Sequence, residues 1–203
     1  MNNTSNQNHK RIQASKHWIF DMDGTLTIGV HDFDLMRREL GLAPDADILK
    51  TMQSMSAQQA APLWAKLDEL EYYFASLAKP MPGAFELLEH LKEKDVSLGV
   101  LTRNVMPATL HTLKTCDLDQ FFALEDILDR ASCEPKPKPD GILLLLKQWG
   151  AKASQSVMVG DYLFDLEAGK AAQVSTVHID TSETYSWPQM TDWGINHLKL
   201  LKS

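Results

Sequence analysis

The chain has 203 residues, of which 44% are hydrophobic and 23% are charged. This composition is typical of soluble globular proteins, and it excludes global disorder because enough apolar material is present for a sizeable core. Twenty Lys and Arg against 27 Asp and Glu give a net charge of −7, which argues against a protein dedicated to binding nucleic acid or a membrane surface.

Residues 1–16 are rich in Asn, Gln and Ser and contain no apolar stretch. We therefore expect a disordered polar tail there, and neither a signal peptide nor a membrane anchor. The longest apolar run, Ile142–Leu146, is far shorter than the ~20 residues that cross a bilayer. Cys116 and Cys133 lack the spacing of a disulfide scaffold or a structural zinc site. These features predict a cytoplasmic protein, either a monomer or a homodimer.

Short apolar runs that end at polar residues predict the strands of a sheet. The first run follows the tail and stops at Asp21, and later runs stop at Thr102, Gly160 and Asp180. The runs are continuously apolar rather than alternating, which is typical of parallel strands covered on both faces. They span residues 17–20, 96–101, 157–159 and 176–179, with a weaker candidate at 127–128.

Helical spacing of apolar residues appears between these runs, over residues 82–91, 106–116, 139–149 and 163–173. Strands that alternate with amphipathic helices predict an α/β class, a doubly wound Rossmann-like parallel sheet. The core of this fold is expected over residues 17–27 and 82–203.

Residues 28–81 interrupt the alternation, because 54 residues are too many for an ordinary connection between a strand and a helix. Helices are predicted over residues 33–40 and 45–55, and a third with its apolar face from Leu63 to Leu77 and Pro62 in its first turn. The segment therefore predicts a small helical cap, inserted after the first strand and standing over its end.

Polar side chains follow the predicted strands where each strand ends. Ligands of open α/β sheets bind at this edge, so we expect Asp21, Asp23, Thr102 and Asp161 to meet there, with Lys136 in a nearby loop. Several carboxylates in one cleft cannot all stay ionised without a cation. A site whose donors are all oxygen and that has few protein ligands favours Mg²⁺. The sequence therefore predicts a magnesium site.

Four segments in chain order carry a shared set of motifs: DMDGTLT at residues 21–27, the strand-end pair Leu101-Thr102, KPKPD at residues 136–140, and GDYLFDLEAG at residues 160–169. They resemble the motifs of the haloacid dehalogenase-like hydrolase superfamily, over roughly residues 17–180. The position of the cap is similar to that in the helical-cap subgroup that contains phosphoglycolate phosphatases.

The resemblance implies a magnesium-dependent phosphatase that hydrolyses a small phosphorylated metabolite through an aspartyl-phosphate. Asp21 would be the nucleophile, and Asp23 would protonate the leaving oxygen and then activate water. Thr102 would donate its hydroxyl to a phosphoryl oxygen, and Lys136 would neutralise the charge of the nucleophile and the phosphoryl group.

The resemblance also implies a set of metal ligands and substrate contacts. Asp21, the backbone carbonyl of Asp23 and Asp161 would hold Mg²⁺, and Asp165 would orient the ligands or metal-bound water. Alternatively, Asp165 has only a structural role, in which its carboxylate at a helix N-terminus offsets the helix dipole. Substrate contacts are expected from Thr102 together with its two successors in the chain, Arg103 and Asn104.

A second anionic group of the substrate would meet Arg103, or else Arg37 or Arg38 of the cap, although a solvated helix face also explains the last two. Three other functions remain open: a phosphosugar mutase, a dehalogenase, and a non-catalytic phosphate-sensing protein on the same fold. The second acid, Asp23, argues against the dehalogenase because a halide leaves without a proton. The four polar groups Asp21, Asp23, Lys136 and Asp161 together argue against loss of catalysis.

Overall fold

The computed structural model describes residues 2–202 and contains one parallel sheet of six strands. The strands are β1 His17–Phe20, β2 Ser97–Leu101, β3 Ile127–Leu128, β4 Ser156–Gly160, β5 Ser175–Ile179 and β6 Trp193–Ile195. Their order across the sheet is β3-β2-β1-β4-β5-β6. The predicted α/β class with a doubly wound sheet is confirmed.

Eight α-helices accompany the sheet over residues 2–202, and none of them is long and apolar enough to span a membrane. They are α1 Asn2–Gln13, α2 Phe33–Glu39, α3 Ile48–Gln53, α4 Ala57–Ala75, α5 Ala84–Glu93, α6 Met106–Thr115, α7 Asp140–Gln148 and α8 Leu163–Ala171. Short 3-10 turns lie at Asp119–Phe121, Leu124–Asp126, Ala153–Gln155, Pro188–Met190 and Leu198–Leu201.

Alternate residues of the central strand point to opposite faces of the sheet, and both faces are covered. In β1, Trp18 and Phe20 belong to one apolar cluster, whereas Ile19 belongs to another. All three side chains are fully buried. This double burial explains why β1 is apolar at successive positions and not at every second one.

The direction in which successive strands are added to the sheet reverses at β1. From β1 the chain builds β2 and β3 on one side, and it then crosses to place β4, β5 and β6 on the other. Phe20 pairs in register with Val100 of β2 and Val159 of β4, so these three strands end at one level. A crevice opens at such a reversal, at the carboxyl ends of the strands.

The sequence does not predict β6, which is only three residues long and contains Gly194. It pairs in parallel with β5, from Trp193 opposite Val177 to Ile195 opposite Ile179. So short a strand depends on its pairing with β5, which is a tertiary contact.

The expected disordered tail over residues 1–16 is wrong for residues 2–13, which form α1; Met1 lies outside the described residues. Ile12 is fully buried in the main core, and the ring of His9 stacks on Trp193 with centroids 4.2 Å apart. Gln13 donates to the carbonyl of Leu200. One apolar anchor and contacts to distant residues hold this helix, and a polar composition does not reveal them.

Residues 28–81 contain α2, α3 and α4, which share a small apolar cluster of their own around Met36, Met52, Leu67 and Phe74. The third helix begins earlier than predicted, because Ser56 and Gln59 form a capping box before Ala57. Pro62 therefore lies inside α4 rather than in its first turn. On the basis of this separate cluster, we propose that residues 28–81 form a cap and that residues 17–27 and 82–202 form the core; Ser203 lies outside the described residues.

Two linkers join this cap to the sheet, and they hydrogen bond to each other. The amide of Ile28 donates to the carbonyl of Lys79, and the amide of Met81 donates to the carbonyl of Leu26, each at 2.9 Å. Thr27 and Pro80 form an antiparallel bridge between these bonds. The cap therefore leaves and rejoins the core at one narrow point.

Ile12→Ala is expected to lower the free energy of unfolding by about 2–5 kcal/mol, because it leaves a cavity in the core beneath α1. Lys10→Ala, on the exposed side of the same helix, is the matched control and should change stability little. Urea unfolding measures both values. Equal stability of the two variants would show that α1 does not pack on the core.

Candidate active site

Three carboxylates meet at the carboxyl ends of β1 and β4. Asp21 follows β1, Asp161 follows β4, and Asp165 lies in the first turn of α8. Oxygen atoms of the three side chains lie within 4.8 Å of one another. Since like charges at this spacing repel, the cluster requires positive charge beside it.

Lys136 supplies one such charge from the loop before α7. Its Nζ donates to Asp21 Oδ1 at 2.5 Å and lies 2.7 Å from Asp165 Oδ1. The side chain is buried, which by itself lowers the pKa of Lys136, but the carboxylates of Asp165 and Asp21 outweigh burial and raise that pKa above its usual range. Lys136 is therefore a permanent cation in the floor of the site.

The positive charge of Lys136 does not fully offset the negative charge of the three acids. Burial raises the pKa of Asp21 well above its ordinary value, and the neighbouring carboxylates of Asp165 and Asp161 add to the effect against the attraction of Lys136. Burial, followed by the charge of Asp165, raises the pKa of Asp161 to about 7. The cluster is consequently able to accept further positive charge.

Two glycines allow the backbone to approach these carboxylates closely. Gly24 has a φ of +87°, and a Cβ there would lie 2.2 Å from Asp161 Oδ2. A Cβ on Gly160 would lie 2.2 Å from the Cβ of Asp165. No side chain fits at either position, so the glycines are required by the packing of the acids.

Asp23 lies apart from the three-acid cluster and faces a polar group of the next strand end. Its Oδ2 accepts from Nδ2 of Asn104 at 2.7 Å, and its Oδ1 lies 3.4 Å from the hydroxyl of Thr27. The backbone amide of Asn104 donates to the hydroxyl oxygen of Thr102 at 3.2 Å. This bond uses the oxygen of Thr102 as an acceptor and leaves its hydrogen available to a ligand.

A cavity of about 500 Å³ lies between these groups and the cap. The predicted residues at the strand ends line it, namely Asp21, Asp23, Thr102, Arg103, Asn104, Lys136, Asp161 and Asp165. The structure therefore brings the sequence-predicted site residues together around one space. Its size suits a small organic molecule rather than a folded protein segment.

The three arginines singled out in the sequence differ in their positions. Arg103 lines the cavity, and its Nη2 donates to Asp47 of the cap at 2.8 Å. Arg37 also lines the cavity and pairs with Asp34 at 2.9 Å. Arg38 is exposed and does not belong to the cavity wall.

Glu71 of α4 is a buried polar residue of the cavity wall that the sequence analysis missed. Its Oε2 accepts from the amide of Val105 at 2.8 Å, and its Oε1 accepts from Nη1 of Arg130 at 2.5 Å. Arg130 also pairs with Asp68 and lies over the ring of Trp64. These bonds tie the cap to the start of α6 and to the loop after β3.

A sequence signal for Glu71 exists, because the residue falls on the apolar face of α4, between Leu67 and Phe74 at helical spacing. An acid on such a face is buried with a partner or serves a function. Its partner Arg130 is 59 residues away in the chain, so the pairing itself has no local signature. Burial raises the pKa of Glu71 to about 7, although Arg130 and the Val105 amide oppose this shift.

The sequence profile of the haloacid dehalogenase-like hydrolase family matches residues 36–179. The chain belongs to this family. A pyrophosphatase PpaX of Listeria monocytogenes serotype 4b is 34% identical over 179 residues, which cover 79% of this chain and 81% of that protein. The family assignment predicted from the four motifs is confirmed.

Solved structures of other proteins share the fold. A hydrolase from Pseudomonas syringae superposes with a TM-score of 0.76 at 22% identity, covering 92% of this chain and 95% of the other. A structure described as a predicted phosphoglycolate phosphatase from Haemophilus somnus gives a TM-score of 0.70 at 20% identity, covering 91% and 95%. At these identities, the likeness concerns the fold.

Glu71→Gln is expected to change how stability depends on pH. The folded protein retains the proton of Glu71 up to about pH 7, whereas an unfolded chain releases it near 4.5. Between these values the folded state binds more protons, so the wild-type free energy of unfolding falls with rising pH relative to that of the variant. The difference is at most about 1.4 kcal/mol per pH unit.

Urea unfolding at several pH values in this range measures the difference. Glu69→Gln, on the exposed side of α4, is the matched control and should follow the wild-type curve. A wild-type curve parallel to that of Glu71→Gln would contradict the raised pKa.

Proposed function

We propose that the chain is a phosphatase that hydrolyses a small phosphorylated metabolite through an aspartyl-phosphate intermediate. The observation that carries the proposal is the buried Asp21 carboxylate, held by Lys136 at the floor of a cavity of about 500 Å³. Membership of a hydrolase family and similarity to a protein named as a pyrophosphatase support it.

In the proposed reaction, a carboxylate oxygen of Asp21 attacks phosphorus, and the bond between phosphorus and the leaving oxygen breaks. Lys136 stabilises negative charge on the nucleophile and the phosphoryl group. The hydroxyl of Thr102 donates to a phosphoryl oxygen. Both groups are buried, which strengthens their electrostatic effect on the transition state.

Asp23 is proposed as the general acid and base. It gives its proton to the leaving oxygen and then takes one from the water that hydrolyses the aspartyl-phosphate. The hydrogen bond from Asn104 at 2.7 Å fixes the orientation of its carboxyl group. Asn104 would thus act through Asp23 as well as line the substrate cavity.

The carboxylate cluster fits a magnesium ion, because Mg²⁺ prefers hard oxygen donors and the cluster holds more negative charge than Lys136 neutralises. Asp21, Asp161 and the backbone carbonyl of Asp23 would hold the ion, and Asp165 would orient these ligands through its contact with Lys136. When bound, Mg²⁺ supplies positive charge that offsets the charge of the phosphoryl group.

Removal of divalent cations by a chelator is expected to abolish hydrolysis of p-nitrophenyl phosphate, and added Mg²⁺ should restore it. Asp161→Asn should weaken Mg²⁺ binding by at least about tenfold, measured by isothermal titration calorimetry. Asp45→Asn, which removes a cavity acid outside the cluster, is the control and should retain affinity. Full activity in excess chelator would contradict the metal site.

Asp21→Asn is expected to lower kcat by about a thousandfold or more while the protein remains folded by circular dichroism, because an amide does not attack phosphorus. Asp23→Asn should still form the phosphoenzyme from p-nitrophenyl phosphate, since nitrophenolate leaves without a proton. Mass spectrometry of the quenched reaction detects the phosphorylated chain. Wild-type turnover by Asp21→Asn would exclude covalent catalysis at this residue.

A further inference from the structure

We propose that the leaving group of the substrate is uncharged and presents an apolar face to the cap, rather than carrying a second anionic group. The inference rests on the proposed phosphatase function and specifies its substrate class. It comes from the charges and the apolar side chains of the cavity wall beyond the carboxylate cluster.

Among the described residues, each basic side chain of the cavity wall already forms an ion pair with an acid. Its basic side chains are Arg37, Arg103 and Lys136. Lys136 serves the acids of the floor, at 2.5 Å from Asp21 and 2.7 Å from Asp165. Only the two arginines remain to meet the distal part of a substrate.

Arg103 is paired with the cap. Its Nη2 lies 2.8 Å from Oδ1 and 3.1 Å from Oδ2 of Asp47, and its guanidinium covers the ring of Phe164 with 4.8 Å to the centroid. A second anion near Arg103 would lie close to the Asp47 carboxylate as well. The repulsion between the two anions offsets the attraction of the arginine.

Arg37 also already has hydrogen-bond partners, both of them in the cap. Its Nη1 donates to Asp34 at 2.9 Å, and its Nε donates to the carbonyl of Ala46 at 3.0 Å. Asp45 adds a further acid to this part of the wall. Asp45 and Asp47 therefore balance Arg37 and Arg103, and this part of the wall offers a second phosphate or carboxylate no net positive charge.

Apolar side chains supply the remaining surface. Phe33 is 53% exposed and Tyr162 is 52% exposed, although both are large aromatic residues of the cavity wall. Covering such rings with an apolar group removes them from water and is favourable. The other apolar residues of the wall are Met36, Ala46, Ile48, Leu49, Leu67 and Phe164.

The first test compares kcat/KM of the wild-type enzyme with Mg²⁺ for benzyl phosphate, phosphoglycolate and inorganic pyrophosphate. Benzyl phosphate and phosphoglycolate both release a primary alcohol, but only the second carries a distal carboxylate. We expect benzyl phosphate to exceed each anionic substrate by about tenfold or more. Preference for phosphoglycolate or pyrophosphate would overturn the inference and leave the phosphatase function intact.

Failure of the proposed function is recognised separately, because the enzyme would then not hydrolyse p-nitrophenyl phosphate either. Turnover of that compound without preference between benzyl phosphate and phosphoglycolate would contradict the inference alone.

The second test frees Arg103 with the substitution Asp47→Asn. Asp47 also caps α3 by accepting from the amide of Lys50, and asparagine caps a helix equally well, so the cap should keep its structure. We expect the ratio of kcat/KM for phosphoglycolate to kcat/KM for benzyl phosphate to rise by about fivefold or more. An unchanged ratio between the two substrates would show that Asp47 does not set the charge preference.

Glu39→Gln is the matched control. It changes the charge of the cap by the same amount, but Glu39 is exposed, pairs with Lys66 and lies outside the cavity wall. We expect both kcat/KM values to match those of the wild-type enzyme. An equal gain for phosphoglycolate in Glu39→Gln would assign the effect to overall charge and contradict the role of the Arg103–Asp47 pair.

Discussion

The compensation of negative charge at the carboxyl end of β1 is the constraint on which the site depends. Asp21, Asp161 and Asp165 share a buried space with one lysine, and burial makes each uncompensated charge costly. The strand order brings the three acids to this space, and the two glycines make their close approach sterically possible. The same excess of negative charge would favour a divalent cation at the cluster, as the proposed phosphatase function requires.

The cavity has two chemically different ends. Its floor concentrates fixed charges and hydrogen-bond donors where a phosphoryl group would react, whereas its roof consists of apolar side chains and ion pairs that neutralise themselves. Two contacts, Arg103 with Asp47 and Arg130 with Glu71, join the core to the cap. Arg103 lines the cavity, so its contact with Asp47 also pairs a cation of the cavity wall.

Most of the sheet and the floor of the site could be predicted from the sequence, because their signals are local. Apolar runs specify buried parallel strands, and the motif residues around Asp21 and Asp161 lie next to strand ends. The edge strand β6, the docked helix α1 and the Glu71–Arg130 pair lack such signals. Each of these features is stabilised by tertiary contacts that no short stretch of sequence contains. For α1 these are the burial of Ile12, the stacking of His9 on Trp193 and the hydrogen bond from Gln13 to Leu200.

The paired linkers between the cap and the core restrict how the cavity exchanges its contents with water. Two chain segments bonded side by side at Ile28 and Met81 bend across their common line but resist twisting about each other. Movement of the cap relative to the core would therefore be a rotation about one axis that passes through the paired linkers. Both the Arg103–Asp47 and the Arg130–Glu71 pairs join the cap to the core, so any movement of the cap about these linkers would strain both pairs together.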